Sequence, residues 1–155
     1  MIRRRRGFTI VELLTVMIVL GLLAGLALLK YLDFTHRART AQVAGELEAV
    51  RLAAYGAWSE NGTWPAEVGP GIIPPGLAPY LPGGFSFQHK EYTLDWENFV
   101  PPGGGPTAGM QLGVVLVSSN ARLTKVLAQN LGNKAPFFVI GGSLTYVIIG
   151  PDGRS

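Results

Sequence analysis

Apolar and polar residues form three successive patterns along the chain. Residues 8–29 are an almost unbroken apolar run, residues 30–60 repeat apolar side chains at helical spacing, and residues from 85 onward hold short alternating or β-branched runs. The 22 residues of the first run would span about 33 Å as a helix, enough to cross the hydrocarbon core of a bilayer. The first pattern therefore predicts a membrane-spanning helix.

The second pattern predicts that this helix continues beyond the apolar run. Steps of four and three residues separate the apolar positions that would share one helical face, which are Val43, Leu47, Val50, Ala54 and Ala57. Asn61 and Gly62 tolerate the left-handed conformation that ends many helices, and Pro65 follows shortly after. We expect one long helix ending near Glu60, with Trp58 and Trp64 in the core.

The third pattern predicts a sheet. A Pro- and Gly-rich crossing segment comes first, with a short turn at 77–81. The runs with strand character are 85–89, 91–96, 112–117, 137–140 and 144–149. Gly141, Gly142 and Ser143 would join the last two runs as a hairpin.

Two further segments complete the predicted fold. Residues 120–131 indicate a short helix, capped by Ser119 or Asn120 and ended by Gly132. Residues 101–106 indicate a surface loop, because they are almost entirely Pro and Gly. The fold class is α+β: a long N-terminal helix, transmembrane in its first half, packed on a C-terminal antiparallel sheet of four to five strands.

Charge is concentrated before the apolar run. The chain has 13 basic and 10 acidic side chains, for a net charge of +3, and Arg3–Arg6 supply four of the basic ones. Removing those four leaves 9 basic against 10 acidic side chains, so the rest of the chain carries a charge of −1. Nucleic acid is therefore not expected as a partner. Arginines beside a membrane segment are typical of an end that stays in the cytoplasm.

Glu12 is the single charged residue within residues 8–29. A charge at the bilayer centre costs roughly 2.5–3.5 kcal/mol on insertion scales, so the carboxylate calls for a partner. Cleavage between Gly7 and Phe8 would create an α-amino group four residues before Glu12. Pairing of that amine with the carboxylate of a neighbouring chain would neutralise both charges and fix the register between helices.

Other interpretations of this segment are a cleaved secretory signal and a plain membrane anchor. Gly25, Leu26 and Ala27 could form a secretory cleavage site, but the apolar run is too long for a signal and contains an acid. A plain anchor leaves Glu12 without a purpose. Gly21 and Gly25 have the spacing that allows close helix contact in membranes, or they are ordinary small residues facing lipid.

The residues from Arg6 to Leu14, Arg-Gly-Phe-Thr-Ile-Val-Glu-Leu-Leu, resemble the N-terminal signal of type IV pilins and type II secretion pseudopilins. The resemblance implies that residues 1–7 are a leader, cut after Gly7 by a prepilin peptidase that also methylates the amine of Phe8. It implies that Glu12 drives assembly. It further implies a pilin-like fold in which residues 8–29 form the transmembrane and filament-core half of the helix and residues 30–155 form a periplasmic domain.

The predicted function is a structural subunit of a pilus-like filament, in a type II secretion pseudopilus or a type IV pilus. The resemblance implies as partners copies of the chain, other pilin-like subunits, the prepilin peptidase and an inner-membrane assembly platform. The unassembled chain would cross the bacterial inner membrane once, with its N-terminus in the cytoplasm. The alternative is a periplasmic binding or enzymatic domain with a single N-terminal anchor.

No catalytic function is predicted. His36 and His89 have no recognised motif around them, and Asp95 and Glu97 would share a strand face as a pair of solvated charges. No cofactor or metal is expected, and the chain has no cysteine to supply a thiolate or a disulfide. Asp152 and Gly153 resemble the acidic loop with which some pseudopilins hold calcium, but one acid is too few ligands to predict that site.

Overall fold

A computed structural model describes residues 8–98, 112–132 and 134–149 of the chain. The chain divides into two compact units, Met1–Ala38 and Arg39–Ser155. The predicted loop at 101–106 and Asp152 lie outside the described residues.

Helix α1 runs from Ile10 to Asn61, 52 residues, which confirms the prediction of one long helix. It ends where the sequence predicts, because Gly62 adopts a positive φ of 67° and its N–H donates to the carbonyl of Trp58 at 2.8 Å. The Asn61 side-chain amide donates to the carbonyl of Ala57 at 3.0 Å, which satisfies another carbonyl of the last turn.

The predicted apolar stripe of α1 is confirmed. All five stripe residues from Val43 to Ala57 are buried, and Ala53 and Thr40 are buried with them. Trp58 does not belong to the core, however, and that expectation is wrong: its side chain is 47% exposed. It lies one position beyond the buried Ala57 and stacks on the half-buried ring of Trp64, with the ring centroids 5.5 Å apart.

The segment between α1 and the sheet contains the predicted short turn, a 3-10 helix at Ala78–Tyr80. The strand predicted at 85–89 is wrong, because only Gln88 forms an isolated bridge there, with Thr93. The Ser86 hydroxyl accepts from the Gln88 N–H at 3.1 Å and donates to the Gln88 carbonyl at 3.0 Å. This local turn uses backbone groups that a strand would need.

The sheet has four strands, all antiparallel: β1 (Tyr92–Asn98), β2 (Leu112–Ser118), β3 (Phe137–Ile140) and β4 (Ser143–Ile149). Their spatial order is β1-β2-β4-β3, so β1 and β3 are the two edges. Gly141 and Gly142, with φ of 59° and 99°, form the predicted tight hairpin between β3 and β4.

The core of the second unit lies on one face of this sheet. Trp96, Val114, Tyr146 and Phe137 form one row across the four strands by their register. Three of these side chains are buried and Phe137 is half-buried, and the row packs in one cluster with the stripe of α1.

Helix α2 (Ala121–Leu131) contributes Leu123, Leu127 and Leu131 to the same core. The Asn120 side chain accepts from the N–H groups of Arg122 and Leu123, so Asn120 is the cap and Gly132 follows the helix, as predicted.

Candidate functional site: the first turn of helix α1

The first turn of α1 is fixed by Thr9 and Glu12. The Thr9 N–H and hydroxyl donate to Glu12 Oε2 at 2.9 Å and 2.8 Å, and the Glu12 N–H donates to the Thr9 hydroxyl oxygen at 3.2 Å. This reciprocal pattern is a capping box, which satisfies N–H groups that the helix itself cannot bond. Thr-x-x-Glu before an apolar run is the sequence signature of this box, but the prediction from sequence assigned Glu12 no capping role.

Glu12 lies near the N-terminal end of the apolar run, only two residues after helix α1 begins at Ile10. A carboxylate in the first helical turn is stabilised by the positive end of the helix dipole. A charge near the end of a membrane segment can also reach the interface, so its insertion cost is below that of a charge at the bilayer centre. The insertion cost of a charge at the bilayer centre, roughly 2.5–3.5 kcal/mol, is therefore an upper bound on the insertion cost of Glu12.

The proposed cleavage site lies just before the helix. Phe8 precedes the capping residue and its side chain is 76% exposed, whereas Gly7 lies outside the described residues. Phe8 and Glu12 belong to one short segment of the chain. Between them lie only Thr9, which caps the helix, and the first two helical residues.

The apolar surface that follows Glu12 is exposed on every side of the helix. None of the residues from 10 to 34 is buried or half-buried. An added Cβ at Gly21 or Gly25 would meet no atom within 4 Å, and α1 is continuous through both. By length and composition this part of α1 could cross a membrane, with a mean hydropathy of 2.5 over its most apolar 18 residues. A helix that is apolar all round needs an apolar environment.

The second unit contains a group of carboxylates that the sequence indicated only in part. Asp95 and Glu97 lie two residues apart on β1 and bond each other, and Glu67 from the preceding loop bonds Glu97. Burial and the neighbouring carboxylates Glu67 and Asp95 raise the pKa of Glu97 to about 7. Burial also raises the pKa of Asp95, whose Oδ1 is buried without a hydrogen-bond partner among the described residues. We call Glu67, Asp95 and Glu97 the acidic cluster.

The acidic cluster does not have the arrangement of a metal site. Among the described residues, no group of three or more His, Cys, Asp or Glu side chains is placed to hold a metal ion. Burial, together with the repulsion between neighbouring carboxylates, accounts for the raised pKa values of Glu97 and Asp95.

Polar side chains of α1 in the second unit have structural contacts. The Tyr92 hydroxyl donates to Glu46 at 2.6 Å, and the Tyr146 hydroxyl donates to Glu48 at 3.1 Å. His89 stacks on the ring of Tyr92 and lies 3.3 Å from Glu46. Burial and the nearby Glu48 raise the pKa of Tyr146 to about 12, so its hydroxyl stays protonated and keeps donating. These contacts join the helix to the sheet.

Comparison with known proteins identifies the N-terminal segment. The family model described as the prokaryotic N-terminal methylation motif matches residues 2–28, a range that contains Gly7, Phe8 and Glu12. No solved structure matches the chain.

Three relatives illustrate the similarity to named proteins. A type IV major alpha-pilin of Moraxella bovis is 39% identical over 59 residues, covering 38% of this chain and 37% of the relative. A fimbrial protein of Pseudomonas aeruginosa is 34% identical over 59 residues, and covers 38% of each chain. A type IV major pilin of Neisseria gonorrhoeae is 32% identical over 71 residues, covering 46% of this chain and 33% of the relative. The chain thus spans less than two fifths of the length of these relatives.

Proposed function

We propose that this chain is a member of the type IV pilin family and a structural, non-catalytic subunit of a pilus-like filament; its N-terminal methylation motif and its similarity to type IV pilins support the proposal. The observation that carries the proposal is the first part of α1. It has one carboxylate at its start and an apolar surface that no part of the described chain covers. Packing against the same segment of other subunits would cover that surface.

Processing would prepare the segment for assembly. A prepilin peptidase cuts between Gly7 and Phe8 and methylates the new amine of Phe8. Both Thr9 bonds to the carboxylate use Oε2 of Glu12, so Oε1 can accept from the amine of a neighbouring subunit without opening the capping box. The capping box then holds the carboxylate in one rotamer, which reduces the entropy lost when the intermolecular pair forms.

The unassembled subunit would wait in the bacterial inner membrane. The arginines before Gly7 hold the N-terminus in the cytoplasm, and the second unit folds in the periplasm. Moving the apolar helix from lipid into a bundle of similar helices gains little apolar burial. Extraction therefore needs an energy-driven assembly platform in the membrane, which is the second proposed partner class after other pilin-like subunits.

The proposal covers a type II secretion pseudopilus and a type IV pilus equally. Both use the same N-terminal chemistry, so residues 8–29 do not separate them. Neighbouring genes for a secretion channel in the outer membrane would indicate the first, and a neighbouring gene for a retraction ATPase would indicate the second.

The test separates the charge of Glu12 from its capping role. Glu12→Gln keeps a capping side chain, since Gln also serves at this position, but removes the charge. We expect both Glu12→Gln and Glu12→Ala to accumulate in the membrane unassembled. Thr9→Ala removes the cap, at a cost of about 1 kcal/mol of helix stability, and keeps the charge, so we expect it still to form filaments.

Filament yield after shearing, measured by electron microscopy and immunoblotting, is the readout. Normal filaments from Glu12→Gln with loss from Thr9→Ala would reduce Glu12 to a capping residue and overturn the charge-pair mechanism. Normal filaments from all three variants, or intact Met1 in the mature chain by mass spectrometry, would favour a tethered domain over a filament subunit.

A further inference from the structure

The two edges of the sheet differ in how their backbone groups are bonded. At the outer edge of β1, Leu94 donates to the carbonyl of Phe87 and accepts from the N–H of Gly71, both at 2.8 Å. Strand β3 pairs with β4 on one side, and on its other side no described residue bonds its backbone. An uncovered edge strand can bind another chain.

The side chains of β3 are apolar, and most of them are exposed. Phe138, Val139 and Ile140 are exposed, with Ile140 at 71%. Beside Val139, a groove of about 480 Å³ lies between β3 and α2, and its lining includes the exposed Lys125 and the half-buried Ala128. Phe138 lies in one cross-strand row with Asp95, on the sheet face opposite to Val139. We call the three residues that line the groove, Lys125, Ala128 and Val139, the β3–α2 surface.

Charge is divided between two parts of the second unit. Residues 112–149 contain Arg122, Lys125 and Lys134 and no acid, whereas residues 39–98 contain three basic and seven acidic side chains. Among the described residues, none of those three cations forms an ion pair, while Arg39 and Arg51 pair with Glu91 and Glu48. The acidic cluster has no cation among the groups that act on it.

We propose that the β3–α2 surface of one copy docks on the acidic cluster of a second copy, with Lys125 directed to Glu67 and Glu97. The proposal rests on the filament function and names the contact that the second units make in it. Glu67 is exposed and Glu97 half-buried, so both carboxylates are accessible to a second copy. The two surfaces carry opposite charge and lie on different parts of the unit, so the contact is heterologous and repeats from copy to copy, as a filament requires.

Charge exchange in the full-length chain is the first test. Lys125→Glu places like charges in the contact, and we expect filament yield to fall about ten-fold. Glu97→Lys should reduce it similarly, and the double variant should return to within about two-fold of the original yield. Lys90→Glu is the matched control, because Lys90 is exposed but lies beyond the other end of β1 from Glu97. Unchanged yield in both single variants, or no recovery in the double variant, would overturn the proposal.

Crosslinking is the second test and does not depend on yield. The chain has no cysteine, so introduced pairs report cleanly. Lys125→Cys with Glu67→Cys should give a ladder of covalent oligomers on oxidation of membranes or filaments. Lys125→Cys with Lys90→Cys, and each single variant, should give none beyond dimers. Crosslinks of position 125 only to itself, or only to a different protein, would assign the surface to another partner and overturn the proposal.

The two proposals fail in different ways. If Glu12→Ala abolishes filaments while the variants at Lys125 and Glu97 assemble normally, the docking contact is wrong and the filament function stands. If Glu12→Ala assembles normally, the charge-pair mechanism fails, and the crosslinking ladder still reports whether the second units meet through these surfaces.

Discussion

The two parts of helix α1 have the same backbone conformation and opposite surroundings. From residue 10 to residue 34 every side chain is exposed, although nearly all are apolar, whereas from Thr40 to Ala57 an apolar stripe is buried against the sheet. The second part contributes to folding of its own unit by removing apolar surface from water. No described residue covers the first part, which by length and composition could cross a membrane.

Polar contacts divide in the same way. At the start of the first part Glu12 bonds Thr9, and at its end Asp33 pairs with Arg37, so these contacts are made within three or four residues along the chain. In the second part, Tyr92 and Tyr146 of the sheet bond glutamates of the helix. Local contacts hold the first part as a helix, and tertiary contacts hold the second part in its unit.

The largest expected difference comes from matched leucines. Leu47→Ala opens a cavity in the core and should lower the free energy of unfolding by about 2–5 kcal/mol. Leu20→Ala, in the exposed first part, should leave that value nearly unchanged and affect assembly instead. Urea denaturation of the detergent-solubilised chain, followed by tryptophan fluorescence, measures both. Equal losses would contradict the division of the helix.

The next effect belongs to the second unit alone and depends on pH. The pKa of Glu97 is raised from 4.5 to about 7 by folding, so the folded state binds more protons between these values. The free energy of unfolding should therefore fall as pH rises from about 4.5 to about 7, and the loss should remain above that. Glu97→Gln should stabilise the chain at pH 8 by about 1–2 kcal/mol, allowing for its partial exposure, and change little at pH 4. A variant that keeps the original slope would show that Glu97 does not cause it.

A pair of glycines gives a smaller difference. Gly25→Ala meets no neighbour and should stabilise the isolated helix by about 1 kcal/mol, seen as higher helix content by circular dichroism. At Gly56 an added Cβ would lie 3.0 Å from Cδ1 of Tyr80, whose hydroxyl donates to Glu60 at 2.6 Å. Because Gly56→Ala would displace the Tyr80 ring, we expect it to give no net gain in helix stability. A filament defect of Gly25→Ala would show that the bundle needs close helix contact there.

The smallest effects come from two arginines. Arg37 pairs with Asp33 at 3.0 Å on an exposed surface, so Arg37→Ala should cost about 0.5 kcal/mol or less. Arg51 is half-buried and donates to both oxygens of Glu48, at 2.9 Å and 2.6 Å. Arg51→Ala should cost about 1 kcal/mol, measured by the same denaturation. A larger loss at Arg37 would mean that the first part has contacts beyond its own helix.

The sequence predicted the elements whose causes are local. The stripe of α1, its end at Asn61, the cap at Asn120, the hairpin at Gly141 and Gly142, and four of the five strands follow from periodicity and from residues that favour caps and turns. The capping box of Thr9 and Glu12 also has a local signature, but the prediction from sequence uses Glu12 only as a charge in a membrane.

Tertiary structure decided what depends on residues far apart in the chain. The alternation of apolar and polar residues does not show that residues 85–89 form a turn at Ser86 in place of a strand. Nor does it show that Trp58 lies outside the core or that Glu67 lies beside Asp95 and Glu97. The order of strands leaves β3 as an uncovered edge and gathers the acids and bases on different parts of the second unit. Periodicity specifies which face of an element is apolar, but only the packing of distant elements determines which neighbour covers that face and which charges meet.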